Sequence, residues 1–258
     1  MRAITSRQHA IVKTFRAVAR GSDSQLLLDG WHLLAEALRA KLGVTTIAFA
    51  GQPEPADARV IELARRSGAE ILTVSAPVLD ALSPVRTPSG VVAIARRPAV
   101  DASAVLSPSP SLVLAIAGVQ DPGNVGAAIR AAAGGGATGV VCDGQSADPL
   151  GWKALRASMG SAFHIPVIRV KEMTEAIDAW RTAGLTIVAA NPRGGQSIYE
   201  MNWRRPVAIL TGAEGAGLPH SLESMADEHV TIPMRAPVES LNVAVSAALM
   251  IFEARRQR

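Results

Sequence analysis

Three stretches of this 258-residue chain have the residue types and spacing to do chemistry. In "DPGNVGAAIR" an amide, Asn124, stands behind a tight turn, and a guanidinium, Arg130, follows six residues later. Taken alone, Asn124 reads as a helix cap and Arg130 as a surface cation. Gly126 leaves room for another group to approach the first turn of the helix. In "LTGAEGAGLP" the run Gly212-x-Glu214-Gly215-x-Gly217 leaves an apolar strand. Such a loop can bring backbone N–H and C=O groups against a ligand without side-chain obstruction. It has no Lys-Ser/Thr of a phosphate-binding P-loop, so a triphosphate is not its natural guest. The third stretch runs from Ile232-Pro233-Met234 through Ser240-Leu241-Asn242-Val243 into an apolar terminal segment. Ser240 or Asn242 begins a helix there, and Val243–Phe252 contains Ser246 as its single polar side chain. A helix apolar on every side must be buried on every side. Ten residues cannot span a bilayer. The helix is therefore threaded into its own domain or buried between subunits.

A fourth pattern points elsewhere and misleads. Gly134, Gly136 and Gly139 satisfy the G-x-G-x-x-G spacing of dinucleotide-binding proteins. That fingerprint needs a strand leading into the glycines and a helix leaving them, so that the helix N-terminus meets the pyrophosphate. Here a helix, Asn124–Ala133, runs into the glycines and a strand leaves. They read as a helix stop and a turn. Cys142, the one cysteine, lies in an apolar run and is expected to be a buried thiol. The five histidines are dispersed and have no metal-ligand spacing.

The elements that must position these residues alternate along the chain. After residues 97–111, a Pro/Ser/Ala-rich stretch with the signature of a linker, the apolar runs Leu112–Ala117, Gly139–Cys142, Pro166–Val170, Leu185–Ala190, Val207–Thr211 and His229–Ile232 read as strands. Helical patterns fall at Asn124–Ala133, Trp152–Ser158, Thr174–Thr182 and Leu241–Arg255. Alternation with continuously apolar strands predicts an α/β domain with a mainly parallel sheet covered on both faces. Ligands on such sheets bind at the C-terminal ends of strands, which directs attention to the loops after Ala117, Ala190, Thr211 and Ile232. Residues 1–96 form a smaller α/β unit, with strands at Gln25–Leu28, Val44–Phe49, Glu70–Val74 and Val91–Ala95.

Composition sets the outer limits. Apolar residues make up 48% and charged residues 19%, as in a folded globular protein. A single cysteine suits a reducing cytoplasm, and no run approaches a membrane span, so no membrane partner is expected. Residues 1–98 carry 13 Lys+Arg against 8 Asp+Glu, a net of +5, and the remainder 13 against 14, a net of −1. Arg2, Arg7, Lys13, Arg16 and Arg20 precede any acid. This basic start suits a phosphate backbone. A solvated helix face explains it equally well.

The three ordered motifs, Asn124-x-Gly126-x-x-x-Arg130, Gly212-x-Glu214-Gly215-x-Gly217 and Ile232-Pro233-Met234…Ser240-Leu241-Asn242-Val243, resemble those of the SpoU family of RNA ribose 2′-O-methyltransferases, in the SPOUT superfamily. "KALRASMGSAFHIPV" is similar to the family's segment between the first two motifs, and Ala236 stands where many members have glycine. Residues 112–258 carry the resemblance. Residues 1–96 look more loosely like the RNA-binding domain, related to ribosomal proteins, that often precedes it.

The resemblance implies a trefoil-knotted C-terminal domain that holds S-adenosylmethionine and pairs as a homodimer. It places Leu210, Gly212, Ile232, Met234, Leu241 and Asn242 against the cofactor. It gives the catalytic set as Arg130, Asn124, Glu214, Ser240 and Asn242. The substrate it implies is RNA, ribosomal before transfer RNA. A guanidinium has no basic form at neutral pH, so Arg130 is expected to orient a phosphate and stabilise an alkoxide. Asn124 and Ser240 would set Arg130 and the ribose in place, and Glu214 would organise the site or meet substrate across a dimer. Two other classes compete: a silent RNA-binding protein with this fold, and the oxidoreductase that the glycine context disfavours.

Overall fold

The computed structural model describes residues 4–258 and divides the chain by packing into two compact units. One comprises the residues up to Ala99 together with Leu150–Phe163, and the other Val100–Pro149 with His164–Arg258. In the first unit α1 (Ala10–Arg20), β1 (Gln25–Asp29), α2 (Trp31–Arg39), β2 (Val44–Ala50), α3 (Pro55–Arg66), β3 (Glu70–Val74), α4 (Ala76–Leu82) and β4 (Val91–Arg96) alternate. The sheet order is β1-β4-β2-β3, with β4 antiparallel to both neighbours and β2 parallel to β3.

α1 is amphipathic at helical spacing. Val12, Phe15 and Val18 face the core, while Lys13, Arg16 and Arg20 share the opposite side. Two of the basic residues near the start already have internal partners: Arg7 Nε donates to Pro77 O at 2.8 Å and Arg16 Nε to Ala81 O at 3.0 Å. Both acceptors belong to α4, so part of the positive charge fastens α1 and the residues just before it to that helix. Arg2 lies outside the described residues.

The second unit opens with β5 (Leu112–Ile116), α5 (Pro122–Gly135) and β6 (Gly139–Cys142). The next helix, α6 (Trp152–Ala157), packs on β1 and belongs to the first unit. Then follow β7 (Val167–Arg169), α7 (Met173–Thr182), β8 (Thr186–Ala190), β9 (Gln196–Ser197), β10 (Val207–Thr211), α8 (His220–Glu223), β11 (Glu228–Thr231) and α9 (Val243–Gln257). The seven strands are parallel throughout, in the order β7-β6-β5-β10-β8-β11-β9. The stretch expected as a linker is partly drawn into this unit: Ala102–Leu106 forms a short 3-10 helix whose Val105 is fully buried in the core.

Strand order brings the expected loops together. β5, β10, β8 and β11 are consecutive neighbours, so the C-terminal ends of these four strands meet along one edge of the sheet. From β5 the chain moves outward through β6 and β7, then returns on the other side through β8. The strand order therefore reverses between β5 and β10, the place where such sheets open a crevice.

The misleading glycines have structural work. A Cβ on Gly135 would come within 2.3 Å of Ile251 Cγ2, so α5 and α9 approach closely only with glycine there. Gly136 ends α5 in the left-handed conformation at φ 84°. A Cβ on Gly139 would lie 2.5 Å from Val105 Cγ1. Within a single chain the terminal helix is covered on part of its surface. Val243, Ala247, Met250 and Ile251 are buried, but Val245, Leu249 and Phe252 are 48, 38 and 50% exposed. These three recur at helical spacing and form one uncovered apolar face.

Candidate active site

Each motif contributes one polar side chain to a single cluster. Asp121, not Asn124, caps α5: its Oδ1 accepts from Gly123 N at 2.6 Å and from Asn124 N at 3.1 Å. Pro122 occupies the first turn, where its missing N–H costs nothing. With the cap supplied, the Asn124 side chain is available for a distant partner. Its Nδ2 donates to Glu214 Oε1 at 3.0 Å, and its Oδ1 accepts from Asn242 Nδ2 at 2.9 Å. Asn242 Nδ2 also donates to Glu214 Oε1, and Val243 N donates to the same oxygen at 3.4 Å. Asn242 Oδ1 meanwhile accepts from Ala244 N at 2.9 Å and Val245 N at 3.3 Å, capping α9. The Glu214 carboxylate thus sits at the N-terminus of α9, where the helix dipole favours negative charge.

The glycine loop that carries Glu214 is closed on itself. Ala213 and Gly217 exchange backbone hydrogen bonds of 3.1 and 2.9 Å. A Cβ on Gly212 would lie 2.2 Å from the Gly217 backbone, and Gly215 and Gly217 have φ of 81° and 69°. The G-x-E-G-x-G spacing follows from this geometry: one glycine for close approach, two for left-handed backbone. The result is a tight tip that aims Glu214 at Asn124 and Asn242.

Behind the cluster lies a cavity of about 320 Å³, at the ends of β8, β10 and β11 and against α9. Gly212, Ile232, Met234 and Leu241 line it, as does Ser240. Leu210 does not: it is buried in the core of β10, and its neighbour Thr211 lines the cavity instead. Asn242 also stays out of the lining and faces the cluster. Glu214 belongs to both. Among the described residues, no Lys, Arg or His contributes to the walls. Arg130 is exposed on α5 and lies outside both the cavity lining and the hydrogen-bonded cluster. Ala236 is likewise exposed and away from the lining.

Two lining residues carried no motif signal. Asn191 directly follows β8, and Glu223 ends α8. Their only trace in the sequence is position: Asn191 begins one of the four loops that a parallel sheet presents to ligands. Cys142 is fully buried, and burial together with the neighbouring Asp143 pushes its thiol far up, as expected of an inert core cysteine.

The family model described as SpoU rRNA Methylase matches residues 111–252, which contain the cavity and all three motifs. The chain belongs to this family. A second model, the MRM3-like substrate binding domain, matches residues 13–93 of the first unit. Among curated SpoU-type relatives, the 23S rRNA (guanosine-2'-O-)-methyltransferase RlmB of a Burkholderia species is 33% identical over 90% of this chain and 96% of its own length. The 23S rRNA (guanosine(2553)-2'-O)-methyltransferase RlmP of Bacillus subtilis is 29% identical over 99% and 100%. Among solved structures, the AdoMet-bound rRNA methyltransferase of Sinorhizobium meliloti superposes with a TM-score of 0.87 at 30% identity, covering 99% of this chain and 97% of that one. The SpoU methyltransferase AviRb of Streptomyces viridochromogenes, in complex with AdoMet, gives 0.88 at 26%, covering 97 and 98%.

Proposed function

We propose that this protein transfers a methyl group from S-adenosylmethionine to the 2′-oxygen of a ribose in ribosomal RNA. The observation that carries the reading is the joining of Asn124, Glu214 and Asn242, one from each motif, at the edge of the cavity. The cavity suits the cofactor. Its volume lies in the range of small-ligand pockets, and walls without cationic side chains accept a sulfonium ligand without repulsion. The Gly212–Gly217 loop lines the cavity along its whole length.

When bound, S-adenosylmethionine supplies a methyl group on a cationic sulfur with a neutral thioether as leaving group. The protein's part is then to hold the attacking oxygen in line and to manage its proton. Ser240, on the cavity wall, and Asn124, in the cluster, position the ribose. Glu214 holds the loop, α5 and the start of α9 in register. Arg130 offers a guanidinium, a group with no basic form at neutral pH, so the ribose proton leaves elsewhere. The guanidinium binds the adjoining phosphate and stabilises negative charge as it develops on the 2′-oxygen.

Residues 1–96 are assigned to substrate binding and 112–258 to catalysis, with 97–111 between them. The match of residues 13–93 to a substrate-binding model and the basic outer face of α1 support this division. The knotted path is supported by α9, which packs on α5 while its cap, Asn242, meets the Gly212–Gly217 loop. The uncovered face Val245, Leu249 and Phe252 supports a homodimer through the second unit. Calorimetric titration of the full chain with S-adenosylmethionine and with NAD, followed by mapping of 2′-O-methylation in ribosomal RNA, tests the proposal. Binding of the first ligand and gain of one methylated ribose are expected. Binding of NAD alone would refute it.

A further inference from the structure

We propose that Asn191 and Glu223 form a reader of the cofactor's ribose diol, at the part of the cavity formed by the end of β8 and by α8. The inference rests on the functional reading above. Asn191 Nδ2 donates to Glu223 Oε1 at 2.7 Å, and both residues line the cavity. This bond fixes the two side chains against each other and leaves two acceptors, Asn191 Oδ1 and Glu223 Oε2. Neither accepts a hydrogen bond from any described residue at normal length. Around Glu223 Oε2 the nearest ionic neighbour is His220 Nδ1, at 4.0 Å on an exposed side chain.

Two acceptors on side chains joined in this way suit a ligand group with two neighbouring donors. The cofactor offers two such groups, the vicinal ribose hydroxyls and the ammonium of its methionine tail. The tail also carries a carboxylate one carbon away from the ammonium. A site that held the ammonium against Glu223 would bring that carboxylate near an anion, in a cavity whose walls offer no cation. The diol carries two O–H donors and no attached anion, so it satisfies both acceptors without that repulsion. The other acid on the wall, Glu214, is already bound to Asn124, Asn242 and the Val243 amide. The two carboxylates therefore divide the work. Glu214 holds the protein together, and Glu223 holds the ligand.

The test is calorimetric binding of S-adenosylhomocysteine and of its 2′-deoxy and 3′-deoxy analogues to the full chain and to Glu223→Ala and Asn191→Ala. Thermal unfolding of each variant checks that it folds. The wild type should bind at least one deoxy analogue about 10- to 100-fold more weakly than the parent, the range for a hydrogen bond to a charged acceptor. Glu223→Ala should bind the parent about that much more weakly and lose most of the discrimination. Asn191→Ala should do the same to a lesser degree. Equal binding of all three ligands by the wild type would overturn the inference. So would a Glu223→Ala loss equal for parent and deoxy ligands, which would assign the carboxylate to the tail. A wild type that bound none of the three would instead strike down the functional reading, and this inference with it.

Discussion

Asn124 donates a 3.0 Å hydrogen bond to Glu214, ninety residues further along the chain, and the same Glu214 oxygen accepts from Asn242. One carboxylate oxygen therefore gathers the turn after β5, the loop after β10 and the start of α9. The three motifs of the family are parts of one hydrogen-bonded object.

The coupling is measurable. Asn124→Ala and Glu214→Ala should each lower the unfolding free energy, and the double variant should lose less than the sum. A coupling of about 1 kcal/mol is expected, because the bonds are charge-assisted but solvent-accessible. Urea unfolding of the four proteins gives the value. Additive losses would mean that the bond contributes nothing.

Arg130 is the one charged residue of α5 and faces solvent. Arg130→Ala should abolish methyl transfer while leaving cofactor affinity within about twofold, because it stands away from the cavity wall. Arg130→Lys keeps the charge and loses the planar fork, so it should recover only a small part of the rate. Near-normal turnover by Arg130→Ala at saturating RNA would remove the role assigned to it.

The exposed face of α9 makes a prediction about assembly. Sedimentation should find a dimer at micromolar concentration, and Leu249→Asp should shift it to monomer by burying an unpaired charge in the interface. A wild-type monomer would show that Val245, Leu249 and Phe252 face water in solution.

Asp29 tests the first unit alone. It is 5% exposed, accepts from Ser83 Oγ at 2.5 Å through Oδ2, and its Oδ1 has no partner among the described residues. Burial, outweighing the Ser83 hydrogen bond and the Arg156 charge, raises its pKa above the ordinary 3.8. A raised carboxyl contributes stability below its unfolded pKa and loses it as pH climbs through the folded value. Asp29→Asn should therefore be at least as stable as the wild type at pH 7, and its advantage should vanish below about pH 4. Thermal melts across that range check the sign. An advantage that grew toward acid would contradict it.

Much of this molecule is legible one segment at a time. The strands Gly139–Cys142 and Val207–Thr211 fall where their apolar runs place them, since a strand covered on both faces is apolar nearly throughout. The inverted order of helix and glycines disfavours a dinucleotide site on sequence alone. The glycines at 212, 215 and 217 are local necessities of a closed loop. Partners are another matter. That Asp121 rather than Asn124 caps α5 decides what Asn124 can reach, and both residue types suit a cap equally well. That Leu150–Phe163 packs with the first unit, and that α9 leaves one face uncovered, depends on which surfaces lie opposite. Asn191 and Glu223 meet across 32 residues, and Asn124 and Asn242 across 118. Periodicity and capping act over one or two turns, whereas such contacts are set by strand order. It is the placement of β10 between β5 and β8 that carries these side chains to a common edge.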